Sequence, residues 1–396
     1  MSISTASCDG SPFQSEDEGR RKIHRAGITR DRRYVYLCTS LGFSLFSVSN
    51  LRCKSDLRVE PCGVIDADIV SHTSLAGLQT GKRVLEVWDC TANKRISPKL
   101  TVEEEIYALK VNEKRVLVLT RSRLHVFSLR KLELLYSFER GEDIALVSRS
   151  LLSITESGLC AFSVAGSRVR VIDSFTLKSF QDVRAHSSCI SAIELSDEVL
   201  VTASVKGTIV RVFHIASMTL VGQFRRGRAE TAIRSLHVSK VKEGEIFLTV
   251  TGDSDTGHVF RMPVEVGQDP SSSLFSSMLN FFPKHYKDAL EAVRDIAQIK
   301  LRREGGSSSA YRYVAAVVEN GSKREVVVVS EETGFAFIYE LPNSGECRLR
   351  YEDALMASSR ASAPRAVFES DQRAVSPELE KVRKKKKPRA GDISED

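Results

Sequence analysis

Short runs in which apolar and polar residues alternate recur along this chain, with Gly-, Asp- or Ser-containing breaks between them. The clearest are LVTASVKGT (200–208), IVRVFHI (209–215) and MTLVGQF (218–224). Alternation with a period of two is the pattern of a strand with one face buried, so each run predicts one β-strand. A second regularity lies above it. A short apolar strand ending in a bulky residue recurs at Ser44-Leu45-Phe46, Glu86-Val87-Trp88, His125-Val126-Phe127, Arg170-Val171-Ile172, Arg211-Val212-Phe213, His258-Val259-Phe260 and Phe337-Ile338-Tyr339. The spacings are 42, 39, 45, 41, 47 and 79 residues. A period of about 40–45 residues is that of a propeller blade of four strands. Seven signatures predict an all-β, seven-bladed β-propeller over residues 23–355, with degenerate repeats: only Trp88-Asp89 shows a WD dipeptide. The last spacing predicts an insertion between the sixth and seventh signatures, a long loop in blade six over residues 263–294.

The run 218–224 ends in Gln223-Phe224-Arg225-Arg226-Gly227. Neighbouring side chains of an extended chain point to opposite sides, so Arg225 and Arg226 are suited to two adjacent pockets rather than one. Gly227 has no side chain and leaves room for a ligand or a tight turn.

The block 185–227, with Phe-Arg-Arg-Gly after this kind of blade, resembles the PROPPIN family of WD-repeat propellers that bind phosphoinositides. Residues 270–301 resemble that family's long membrane-facing loop and the strand after it, and Gly345-Glu346-Cys347-Arg348 resembles its closing segment. The similarity covers residues 30–355. It implies two rim pockets, each for one inositol phosphate headgroup, with the two arginines divided between them. The first would use Arg225 with His186, Ser204, Lys206 and Thr208; the second would use Arg226 with Thr251, Thr256 and His258. The chemistry suits a phosphate monoester: Arg offers a planar fork of donors, Lys a point charge, and Ser and Thr short donors. Where relatives show Ser-Ser-Asp-Lys-Gly-Thr, this chain has Thr251-Gly252-Asp253-Ser254-Asp255-Thr256. A cation is missing and a carboxylate is added, which weakens the second pocket.

The insertion carries its own pattern. In residues 270–283 (PSSSLFSSMLNFFP), Leu274, Phe275, Met278, Leu279, Phe281 and Phe282 fall at helical spacing between serines. In a helix these form one apolar stripe. A loop on a propeller rim has no core nearby, and Lys284, His285 and Lys287 follow at once, as expected near anionic headgroups. The stripe is therefore a candidate for membrane insertion, the alternative being an ordinary packed helix. The run DIAQIKL (295–301) then alternates and completes blade six.

Composition narrows the classes. No run of about 18 apolar residues exists, so no helix is expected to span a bilayer. The first 19 residues lack the basic and apolar regions of a secretory signal, and residues 1–22 are expected to be disordered. Eight scattered cysteines without a CxxC pair read as reduced thiols in a cytosolic protein, with no disulfide, metal or cofactor. Residues 356–396 are expected to be a disordered tail; seven of the nine residues 381–389 are basic, enough to account for a net charge of +7. Such a run serves as a nuclear localisation signal, a nucleic-acid arm, a membrane-surface anchor or simply a solvated tail. No phosphate-binding glycine loop, HExxH or GxSxG is present, and the histidines stand singly, so no enzyme is expected.

The resemblance thus implies a monomeric, cytoplasmic effector that docks peripherally on preautophagosomal, endosomal or vacuolar/lysosomal membranes. It implies recognition of phosphatidylinositol 3-phosphate and phosphatidylinositol 3,5-bisphosphate. It also implies work in autophagosome formation and endolysosomal traffic, with autophagy factors that include the large lipid-transfer protein as partners. No nucleic-acid partner is expected. The competing class is a WD-repeat scaffold binding peptides or nucleic acid, with the Lys-rich tail as its electrostatic arm.

Overall fold

The computed structural model describes residues 21–61, 63–141, 148–180, 182–241, 244–262, 292–302 and 312–358. The six apolar residues of the insertion from Leu274 to Phe282, the Gly-Ser patch at 305–309, the basic run 381–389 and most of the N-terminal segment lie outside these residues.

The described strands form seven sheets arranged as the blades of a propeller, each built around an antiparallel meander of consecutive strands. Every bulky signature predicted from the sequence falls in the third strand of its sheet, from Gly42–Ser47 in the first to Phe335–Glu340 in the seventh. The reason is packing. The third strand lies inside its sheet, and its alternate residues enter the layers between blades, as Val212 and Phe260 do in the core shared by sheets five and six.

The ring closes without exchange of strands. The first sheet takes all its strands from Ile23–Arg58 and the seventh from Tyr313–Ala354. Side chains pack the two together: Ala26, Val35 and Leu37 lie with Ala316, Val327 and Ala336 in one buried cluster. At about 25 cal/mol per Å² of apolar surface removed from water, such a seam is a substantial stabilising contact.

The fifth and sixth sheets carry the features that matter for function. The fifth comprises β19 (Ile190–Leu195), β20 (Val199–Ser204), β21 (Ile209–His214) and β22 (Leu220–Arg225). The sixth comprises β23 (Ile233–Lys240), β24 (Ile246–Gly252), β25 (Thr256–Met262) and β27 (Ala297–Lys300). β22 starts later than the sequence pattern suggests, because Met218 has a φ of 52° and belongs to the turn, and it includes Arg225. The run after the insertion does complete blade six, as β27 pairs with β25.

Two further strands are not visible in the pattern. β26 (Val293–Arg294) adds in parallel to β22 of the fifth sheet, and β31 (Gly345–Glu346) adds in parallel to β27 of the sixth. Each is two residues long, too short to show an alternation. The closing segment at Gly345 thus extends sheet six, and the seventh sheet is completed by β32 (Arg348–Ala354).

Candidate functional site

The motif Phe224-Arg225-Arg226-Gly227 sits where the outer strand of blade five leaves its sheet. Phe224 is the anchor. It is buried in the core between sheets five and six, with its ring 5.1 Å from that of Phe260. Burying such a ring stabilises by about 1.5–3 kcal/mol, and it fixes the height at which the next two residues emerge.

Arg225 is opposite Ile209 on one side and Arg294 on the other. Directly paired residues of adjacent strands project from the same face of a sheet. Arg225 and Arg294 therefore project from the same face of neighbouring strands. Among the described residues neither makes a side-chain hydrogen bond or an ion pair. Two uncompensated cations on neighbouring strands repel one another and favour an anion between them. Arg294 was not legible as a site residue, because only the parallel pairing of β26 brings it beside the motif.

Arg226 is held differently. Its backbone N–H donates to the Thr208 carbonyl at 3.0 Å, its Nε donates to the Gly207 carbonyl at 3.0 Å, and its NH2 donates to the Ala229 carbonyl. It is half-buried, and that burial lowers its pKa. Gly207 is fixed by the same arrangement: its φ is 59°, and a Cβ there would lie 1.8 Å from the Thr231 carbonyl oxygen. Only glycine fits. Gly227 differs, since a Cβ there would meet nothing within 4 Å.

Ser204, Lys206 and Thr208 occupy the end of β20 and the turn to β21, the turn that also receives Arg226. Ser204 is buried and its carbonyl accepts from the Gly207 N–H. Lys206 is exposed and its Nζ is 4.0 Å from Glu230, a contact that water and salt screen to little. Thr208 supplies its carbonyl to Arg226 and Gly227. His186 is buried, with Nε2 3.1 Å from the Thr202 hydroxyl, and burial together with Arg211 pushes its pKa down to about 4. Its ring is thus neutral at physiological pH, and its contact with Thr202 ties residues 185–186 to β20. Arg211 adds a second tie by donating to the Ala185 carbonyl at 2.7 Å.

The second half lies on sheet six. His258 is buried with Nδ1 2.8 Å from Asp295, and burial holds its pKa below the usual value despite that carboxylate. Arg226 stands close enough to oppose protonation of the same ring. The imidazole is therefore neutral and points its Nδ1–H at Asp295, which leaves a lone pair rather than a donor on Nε2. Thr256 donates to Asp255 at 3.0 Å, and Ser254 donates to the Thr256 carbonyl at 3.0 Å. Thr251 is buried and its hydroxyl donates to the Tyr313 carbonyl of the seventh sheet, so its proton serves the contact between blades. Asp253 holds Arg234 through two bonds of 2.7 Å. The second half is accordingly rich in carboxylates and short of free donors, whereas the first presents two open guanidinium groups.

No helix among the described residues is long and apolar enough to cross a membrane. Comparison with known proteins agrees with this architecture. Kluyveromyces lactis Hsv2 with its complete loop 6CD superposes with a TM-score of 0.66 at 18% identity, covering 85% of this chain and 100% of that one. KlAtg21, solved in complex with the coiled-coil of AgAtg16, gives a TM-score of 0.65 at 19% identity, over 84% and 99% of the two chains. At these identities the likeness speaks for the fold. Among curated proteins, autophagy-related protein 18 of Dictyostelium discoideum is 27% identical over 63% of this chain and 70% of its own length. WD repeat domain phosphoinositide-interacting protein 2 of Xenopus laevis is 23% identical over 88% of this chain and 83% of its own. Residues 29–356 match the family model PROPPIN, and with most of the chain so covered the protein belongs to the PROPPIN family.

Proposed function

We propose that this protein binds phosphoinositide headgroups, those of phosphatidylinositol 3-phosphate and phosphatidylinositol 3,5-bisphosphate, at the outer edge of blades five and six. In this reading it docks from the cytoplasm onto preautophagosomal, endosomal or vacuolar/lysosomal membranes. It acts there as a monomeric effector in autophagosome formation and endolysosomal traffic, bringing autophagy factors, the lipid-transfer protein among them, to the marked surface. The observation that carries the reading is the pair of arginines, Arg225 and Arg294, on neighbouring strands of blade five, neither with a side-chain partner among the described residues, in the blade whose β20–β21 turn bears Ser204 and Thr208. Charge-assisted hydrogen bonds from such donors to phosphate are among the strongest a surface offers. Arg226 supplies the second half with His258 and Thr256, and this half is the weaker of the two. The apolar residues Leu274, Phe275, Met278, Leu279, Phe281 and Phe282 of the insertion give the complex its hold on the bilayer.

The test is flotation of the purified chain with liposomes across the phosphoinositide series, alongside the Arg225→Thr, Arg226→Thr double variant. Losing charge-assisted bonds worth about 1.5–3 kcal/mol each lowers affinity by orders of magnitude. A folded double variant that floats like the wild type on phosphatidylinositol 3-phosphate would overturn the assignment.

A further inference from the structure

The axis of the propeller holds a cavity of about 310 Å³. One end of it is lined by His24, Tyr107, Arg149, Arg234, Arg312 and Glu331, which come from different blades around the ring. The charges at this end do not cancel. Arg25 lies 3.0 Å from Asp66, and Arg149 reaches the same carboxylate only at 3.5 Å while donating to Gln79 at 3.2 Å. Arg234 is matched by Asp253. Arg312 is exposed and, among the described residues, its guanidinium makes no hydrogen bond or ion pair. Among the described residues, four guanidinium groups thus meet three carboxylates, Asp66, Asp253 and Glu331. Lys22 adds a further cation: together with Arg149, and after burial itself, it lowers the pKa of His24. Deeper in the same cavity His237 is 7% exposed, and its Nδ1 has no hydrogen-bond partner among the described residues.

We propose that this end of the central channel is a binding site for a small molecule carrying two or more phosphate groups, held by Arg149 and Arg312 from opposite blades. Arg312 and the unspent donors of Arg149 face a polar space of ligand size, at the lower end of the range of small-molecule pockets. Guanidinium forks from separate blades suit a ligand whose anionic groups are themselves separated. Glu331 in the wall repels a single weak anion, so a site with this lining selects for charge. The same chemistry is offered by a free polyphosphorylated metabolite and by a lipid headgroup. The size of the space and its position on the axis favour the free molecule.

Inorganic pyrophosphate is the probe. Calorimetric titration of the full chain should show pyrophosphate binding, with inorganic monophosphate at least about tenfold weaker. Arg312→Ala, whose side chain is exposed and unbonded, should weaken pyrophosphate binding by about tenfold with an unchanged melting temperature. Arg149→Ala together with Arg312→Ala should abolish it. Both variants should float on phosphatidylinositol 3-phosphate liposomes like the wild type, and the Arg225→Thr, Arg226→Thr variant should keep its pyrophosphate affinity. Failure of flotation alone therefore counts against the edge site and leaves the channel site standing. The channel proposal is overturned by absence of pyrophosphate binding at millimolar concentration. It is equally overturned by binding that survives the double channel variant or disappears with the edge variant. Loss of flotation in the channel variants without pyrophosphate binding would assign the mouth to the lipid headgroup instead.

Discussion

The two arginines of the motif differ in what they do for the fold, and the difference is measurable. Arg226→Ala removes two side-chain hydrogen bonds, to the carbonyls of Gly207 and Ala229. A bond from a charged donor contributes about 1.5–3 kcal/mol when buried. Arg226 is half-exposed, so both carbonyls regain water in the variant, and a loss of about 1–3 kcal/mol in total is expected. Unfolding entropy of about 2.1 cal/mol/K per residue makes each kcal/mol worth about 1–2 °C in a propeller of this length. The melting temperature of Arg226→Ala should fall by about 2–4 °C. Arg225→Ala removes no bond among the described residues and should melt with the wild type. Binding should run the other way. In titrations with the soluble headgroup of phosphatidylinositol 3-phosphate, Arg225→Ala should cost more affinity than Arg226→Ala, because the first half of the site has the open donors. Scanning calorimetry and titration on the same two samples decide the matter. Equal melting temperatures for the two variants, or a larger binding loss from Arg226→Ala, would refute this division of labour.

Other consequences follow from the same structure. Ser254→Lys places a cation beside Asp255 in the weaker half and should raise its affinity for the soluble headgroup by about tenfold, read by calorimetry. Arg140 is 2% exposed, makes no ion pair among the described residues and donates to the carbonyls of Thr120, Arg121 and Ser163 and to the Ser163 hydroxyl. Arg140→Met strands those acceptors and should cost about 3–5 kcal/mol in urea unfolding. His186 and His237 are held neutral by burial, with pKa values pushed down to about 4 and about 3 from 6.5. The unfolded chain binds these protons first as pH falls, so the stability they give is present above about pH 6.5 and is lost progressively below it. By pH 5 the loss should approach about 2 kcal/mol per imidazole, and His237→Gln should flatten the dependence of urea midpoints on pH.

The ring itself was legible because its cause repeats. A bulky residue in the third strand is what each blade needs to fill the layer against its neighbour, so the period survives even where the WD dipeptide does not. The candidate site was half legible. Arg225, Arg226 and the hydroxyl turn lie close in sequence, on one blade. Arg294 lies 69 positions beyond Arg225 and enters through a two-residue parallel strand that no hydrophobic period announces. The roles of individual groups were least legible. Thr251 and Thr256 look alike in sequence, yet one hydroxyl bridges two blades and the other faces Asp255. His258 looks like a phosphate donor until Asp295 takes its Nδ1–H.

Blade three shows why the second arginine of the motif serves as a strut. Its outer strand, Leu134–Glu139, ends in Phe138-Glu139-Arg140-Gly141, the counterpart of Phe224-Arg225-Arg226-Gly227. Phe138 is buried like Phe224, and the Arg140 backbone N–H donates to the Ser122 carbonyl as that of Arg226 does to Thr208. The Arg140 guanidinium then binds carbonyls of the preceding turn, as Arg226 binds that of Gly207. The first position differs: Glu139 lies 2.9 Å from Arg123, so its charge is spent locally, whereas Arg225 stands open. An arginine two residues after the buried phenylalanine is therefore part of how the outer strand is tied to its blade, wherever it occurs. What distinguishes blade five from blade three is the residue between them. At blade five that residue is a cation with a second cation beside it, at blade three a carboxylate already paired, and only the first arrangement has charge left over for a phosphate.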